Sequence, residues 1–95
     1  MVVEKSDIVV SRAGRDKGKI FFVLEEDGTF AYLANGKERK IETPKKKKLK
    51  HLQFVSESDC RAAEKLRSGE KLTNSELRKA LASFERGRAG EVGGM

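Results

Sequence analysis

Up to about position 55 the apolar residues of this chain come in short runs: Ile8-Val9-Val10, Ile20 to Leu24 and Phe30 to Ala34. Each run is followed within a few positions by glycine, as Gly14, Asp27-Gly28 and Asn35-Gly36. Beyond that point the apolar residues recur at helical spacing, first Cys60, Ala63 and Leu66, then Leu77, Ala80, Leu81 and Phe84. This change of period constrains the chain most, because it demands a β-structured first half and a helical second half.

The runs predict strands at Asp7 to Ser11, Lys19 to Glu25 and Thr29 to Ala34. Asp27-Gly28 and Asn35-Gly36 are dipeptides that tolerate positive φ and favour tight two-residue hairpins. Arg39 to Glu42 then reads as a fourth strand, interrupted by Pro44, and Leu49 to Val55 as a fifth. Five short strands joined tightly make a small barrel. Its filling is assigned to Phe21, Phe22, Phe30, Tyr32 and Phe54, with base stacking at the rim as the alternative use of one or two of them.

Ser56-Glu57-Ser58-Asp59 offers a capping hydroxyl before a first helix, which Ser68-Gly69 should stop. Thr73-Asn74-Ser75-Glu76 is a capping box before a second helix, ending near Gly87. The reading is therefore a mainly β protein: a five-stranded barrel over residues 1–55, a helical hairpin over 56–86 that packs on it, and a flexible tail over 87–95.

Ninety-five residues, 37% apolar and 38% charged, are enough for one small core. No apolar run is long enough to span a membrane, and Glu4, Lys5 and Asp7 stand where a signal peptide would be apolar, so a cytoplasmic protein with no membrane partner is expected. One cysteine and one histidine supply neither an internal disulfide nor a zinc cluster, and no metal or cofactor is expected. Nothing positions a nucleophile, paired acids or a metal, so no catalytic residue is assigned and an enzyme acting on nucleic acid ranks last.

The net charge of +6 is unevenly spread. Residues 1–55 hold 13 Lys and Arg against 8 Asp and Glu, whereas residues 56–95 hold 8 against 7. Within the first half the bases gather in Arg12 to Lys19 and in Lys37 to His51, with the acids Glu25, Glu26 and Asp27 set apart between them. Segregation of this kind is what a polyanion-binding face requires. In the first segment Gly14 and Gly18 permit backbone geometries denied to other residues, so a loop can bring backbone N–H groups and cations to phosphates.

Ile8-Val9-Val10, Gly14, Lys17-Gly18-Lys19 and Ile20 to Val23 together resemble a KOW motif, a short strand, a basic glycine-bearing loop and a second strand. Phe21 stands where the NusG-like branch carries a second glycine. Gly18-Lys19 leading directly into Ile20 to Val23, with Pro44 to Leu52 downstream, is more similar to the archaeal-type and eukaryotic-type large-subunit ribosomal proteins of the KOW class. The resemblance covers roughly residues 6–54. It implies an SH3-like barrel and binding to RNA, ribosomal RNA in particular, with contacts from Arg12, Gly14, Arg15, Lys17, Gly18, Lys19, Lys45, Lys46, Lys47, Lys48, Lys50 and His51. The alternative it leaves is a protein-docking module of the translation or transcription machinery, with ribosomal or transcription proteins as partners.

Overall fold

The computed structural model describes residues 3–58 and 60–93, the last seven by backbone alone. Asp59 of the expected first cap and the last two residues of the expected tail lie outside them. Five strands form one antiparallel sheet: β1 (Ile8–Ser11), β2 (Ile20–Glu26), β3 (Phe30–Ala34), β4 (Lys45–Lys48) and β5 (Leu52–Ser56). Two helices follow, α1 (Arg61–Ser68) and α2 (Asn74–Gly93). The protein is thus mainly β with a helical C-terminal part.

The strands lie in the order β4-β3-β2-β1-β5, so the consecutive strands β4 and β5 occupy opposite edges. A single 3-10 turn, Leu49–His51, joins them. Four strand spacings would separate the edges of a flat sheet by about 19 Å. A 3-10 turn of this length advances only about 8 Å. The sheet must therefore curl until its edges approach at that end, and register shifts at Ile8/Val9 and Val23/Glu25 help it bend. No β4–β5 ladder joins the edges among the described residues.

Strand alternation gives the sheet two apolar faces. Val9, Phe21, Val23, Ala31, Leu33 and Leu52 form the inner cluster, joined by Val3. Ile8, Phe22 and Ala34 face outward and are covered by Ala63, Leu77 and Leu81 of the helices. Phe21, Phe22, Val23, Leu33 and Leu77 are fully buried, and burial of side chains this large contributes about 2 kcal/mol each. The helices are thus the second wall of the fold, and they cover the outer side of β1 and β2.

The aromatic residues do not all fill one interior. Phe21 lies inside and Phe22 under the helices, whereas Phe30, Tyr32 and Phe54 are only half-buried and belong to neither cluster.

The expected fourth strand at Arg39 to Glu42 is absent, and the lysine run Lys45–Lys48 takes that place. Asn35 explains the difference: its Oδ1 accepts the N–H groups of Lys37 and Arg39, at 2.9 and 3.0 Å, which bends the chain at once. The Ile41 N–H then goes to Asn74 Oδ1 at 2.8 Å and is lost to any ladder. Pro44 stands just before β4, a position where its missing donor costs nothing. The Asp27 turn likewise differs from a two-residue hairpin, since only Gly28 has positive φ and Asp27 Oδ1 accepts from Thr29 and Phe30.

Ser56 does not cap α1, because β5 runs through it; the N-cap is Cys60, with no side-chain bond, and Gly69 ends the helix at φ 78°. The capping box of α2 forms as expected: Thr73 N–H donates to Glu76 Oε1 at 3.1 Å and Glu76 N–H to Thr73 Oγ1 at 3.2 Å. Past Gly87 the helical backbone continues to Gly93, where the sequence led us to expect a flexible tail. Each of Gly87, Gly90 and Gly93 weakens a helix by about 1 kcal/mol at most without forbidding it, and no proline intervenes.

Candidate functional site

The β1–β2 loop is built around its two glycines. Gly14 and Gly18 both take left-handed backbone, φ 76° and 88°. Gly18 N–H donates to Ser11 O at 2.8 Å, Lys19 N–H to Asp16 O at 2.9 Å, and Lys17 N–H to Gly14 O at 3.2 Å. These three donors are consumed within the loop, so they form no cradle for a phosphate. What the loop offers outward is side chains: Arg12, Arg15 and Lys17 are exposed.

Its one acid is withdrawn. Asp16 is 5% exposed and lies 3.3 Å from Arg39 Nη2 and 4.0 Å from Lys19 Nζ. Lys19 is also held by Glu38 at 3.1 Å, an ion pair that, after a backbone hydrogen bond at Glu38 itself, pulls the Glu38 carboxyl below its usual range. Lys19 therefore serves the loop's own frame more than an outside ligand. Asp16 and Arg39 were not singled out by sequence, since nothing in their spacing marks a pair 23 residues apart.

The lysine run meets this loop. Lys47 Nζ donates to Ala13 O at 2.6 Å, and the same carbonyl accepts Ser11 Oγ at 3.0 Å. Nearby, Arg12 N–H donates to His51 O at 2.8 Å, and the Arg12 guanidinium hydrogen-bonds Gln53 of β5. Residues 12–15 and 47–53 are thereby stitched together at the mouth of the curled sheet. Sequence did not identify Gln53 or the Ala13 carbonyl, which carry no charge pattern.

Within β4 the four lysines differ. Lys46 and Lys48 are exposed and pair in register with Tyr32 and Phe30, whereas Lys45 and Lys47 are half-buried opposite the fully buried Leu33 and Ala31. Inward-directed lysines on an edge strand also discourage pairing with a further strand. Lys46 Nζ sits 4.4 Å from the Phe30 ring centroid and 6.0 Å from that of Tyr32. Lys50 is exposed, and His51 is half-buried and tied through its backbone.

Arg12, Arg15, Lys17, Lys46, Lys48 and Lys50 are thus exposed cations that no carboxylate engages in an ion pair among the described residues. The acids between the two segments are spent locally: Glu25 pairs with Lys5 at 3.7 Å, Glu26 Oε2 accepts from Gly28 N–H, and Asp27 closes its turn. The hydrogen bonds from the Phe30 and Thr29 N–H groups lower the Asp27 pKa, so it remains ionised.

Among the described residues there is no cluster of three or more His, Cys, Asp or Glu able to hold a metal, and no helix is long and apolar enough to cross a membrane. Comparison with protein-family models and with curated proteins finds no match to the chain.

Proposed function

We propose that this chain is an RNA-binding module of the KOW type, its curled sheet an SH3-like barrel, that holds structured RNA, ribosomal RNA in particular, by its phosphates. The observation that carries this reading is the Lys47–Ala13 bond, which joins the two basic segments into one surface. Strand order, the one-turn link between β4 and β5, and the glycine-built loop between β1 and β2 support the fold part of the reading.

The mechanism is electrostatic. Arg12, Arg15 and Lys17 approach from the loop and Lys46, Lys48 and Lys50 from the edge, each releasing counterions as it meets a phosphate. A rigid sheet fixes the spacing of these charges, so that preference among RNAs follows backbone shape more than base sequence. No bond is made or broken, and no cofactor is needed.

Crosslinking and sequencing of RNA from cells expressing the tagged protein tests the reading, beside a variant with Lys46, Lys48 and Lys50 changed to Ser. Lys47 is left in place because it holds the loop. Enrichment of ribosomal RNA that the variant loses supports the reading; RNA recovery at background level contradicts it.

A protein-docking role is the second reading. A groove of about 270 Å³ runs between the Asn35–Lys37 turn and α2, floored by Ile20, Leu81 and Ala82. If this groove is the working surface, copurified proteins survive the triple lysine change and are lost on Ala82→Glu.

A further inference from the structure

Two of the six aromatic side chains counted in the sequence lie side by side outside both cores. Phe30 and Tyr32 are two residues apart on β3, so strand alternation places them on the same face, the outer one. The helices cover that face over β1, β2 and the last residue of β3, where Ile8, Phe22 and Ala34 are buried, and leave it half-open at Phe30 and Tyr32. Both rings are partly exposed in a protein small enough to need every aromatic it can bury.

The open rings are bordered by charge of opposite kinds. Along β4, Lys48 pairs with Phe30 and Lys46 with Tyr32, and both ammonium groups are on the exposed side. Lys46 Nζ lies over the Phe30 ring, 4.4 Å from its centroid. Toward the sheet centre, Tyr32 pairs with Glu25, which is exposed and held by Lys5. A polyanion is therefore drawn to the β4 edge, whereas on the β2 side Glu25 and Lys5 hold each other.

We infer that Phe30 and Tyr32 form a stacking platform for unpaired nucleobases, with Lys46 and Lys48 holding the phosphates of the same strand along the β4 edge. The inference rests on the RNA-binding reading above and adds the class of RNA: single-stranded or looped segments whose bases are free to splay. Aromatic faces and a lysine track side by side are the two parts such binding requires. The exposed lysines of β4 set the polarity, backbone along that edge and bases inward. A base entering the stack displaces the Lys46 ammonium from the ring toward the phosphate it then neutralises. An uninterrupted duplex keeps its bases stacked inside and reaches only the lysines.

Tyr32 is the single tyrosine and the chain has no tryptophan, so its emission reports on this surface in the unmodified protein. A short unstructured RNA, and the same RNA annealed to its complement, are titrated in turn while tyrosine emission and the anisotropy of labelled RNA are recorded. Saturable quenching by the single strand with none from the duplex is the expected result. Phe30→Leu, which keeps apolar bulk without a π-face, should weaken single-strand binding about tenfold and leave duplex binding unchanged. Single-strand binding seen by anisotropy with tyrosine emission unmoved overturns the platform while the phosphate clamp stands. Equal quenching by both RNAs overturns it too, and absence of binding by either RNA overturns both readings.

Discussion

Lys47 Nζ donates a hydrogen bond of 2.6 Å to the Ala13 carbonyl, fastening the edge strand β4 to the β1–β2 loop. The consequence is specific: Lys47 acts through position, while Lys46 and Lys48 beside it act through charge. Lys47→Met keeps the stem and removes the donor. It should lower stability by about 1–2 kcal/mol, since Ala13 O retains only the Ser11 hydroxyl. Amide exchange at Gly18 should quicken as the loop loosens, whereas Lys48→Met should leave both quantities unchanged.

The helices are tied to the sheet at a glycine. A Cβ at Gly36 would stand 2.3 Å from the Asn74 carbonyl oxygen, and its φ of 76° is strained for any other residue. Arg78 also donates to Gly36 O at 2.8 Å. Gly36→Ala should cost about 3 kcal/mol or more in denaturant unfolding, from strain and clash together. Gly28→Ala is the control: its φ is 92°, but nothing lies within 4 Å of the added atom, so about 1 kcal/mol is expected.

Glu76 links α1 to α2 through Lys65 Nζ at 2.6 Å. That bond, with the Thr73 N–H, holds its pKa at about 2 against an ordinary 4.5. A depressed acid stabilises the fold above its unfolded value and loses that contribution as pH falls through the folded one. Thermal unfolding of wild type and Glu76→Gln should therefore differ most above pH 4.5 and converge as pH approaches 2. A gap between the two curves that is constant with pH would rule out the ion pair as its source.

Asp7 behaves in the opposite sense. Burial raises its pKa above 3.8, against the Glu4 N–H that donates to Oδ2 at 2.8 Å. A raised acid favours the protonated form in the fold, so stability is lost as pH rises through the folded value. Asp7→Asn keeps an acceptor for Glu4 and removes the charge. It should be at least as stable as wild type at neutral pH, and its unfolding should lack this pH-dependent component.

Much of this architecture could be read from residue order, for identifiable reasons. β1, β2 and β3 carry continuous apolar runs closed by glycine, and their expected limits fall within a residue of those observed. Thr73 and Glu76 form their box because both partners are local in sequence. β4 was hidden because four lysines have no apolar alternation; its backbone pairs with β3, and its inward lysines lie near the open mouth of the sheet. Ile41 reads as strand between charges, yet Asn74, 33 residues away at the start of α2, takes its N–H. The basic residues of the site were legible from charge segregation. Their partition into cations without an ion pair among the described residues, Lys19 spent on Glu38, and Lys47 spent on Ala13 depends on long-range contacts that no local pattern encodes. Phe30 and Tyr32 were read as core because the sequence does not show where the helices stop covering the sheet.

The most direct test of the joined basic surface is RNA affinity measured against salt concentration for the wild-type protein and for Arg15→Gln/Lys17→Gln and Lys46→Gln/Lys48→Gln. With about five phosphates neutralised on a single strand, log K should fall against log salt with a slope of about −3.5. Each double change should flatten that slope by about 1.4 if both segments contact the same RNA. A slope near zero in the wild type, or one that only a single double change alters, would contradict the account.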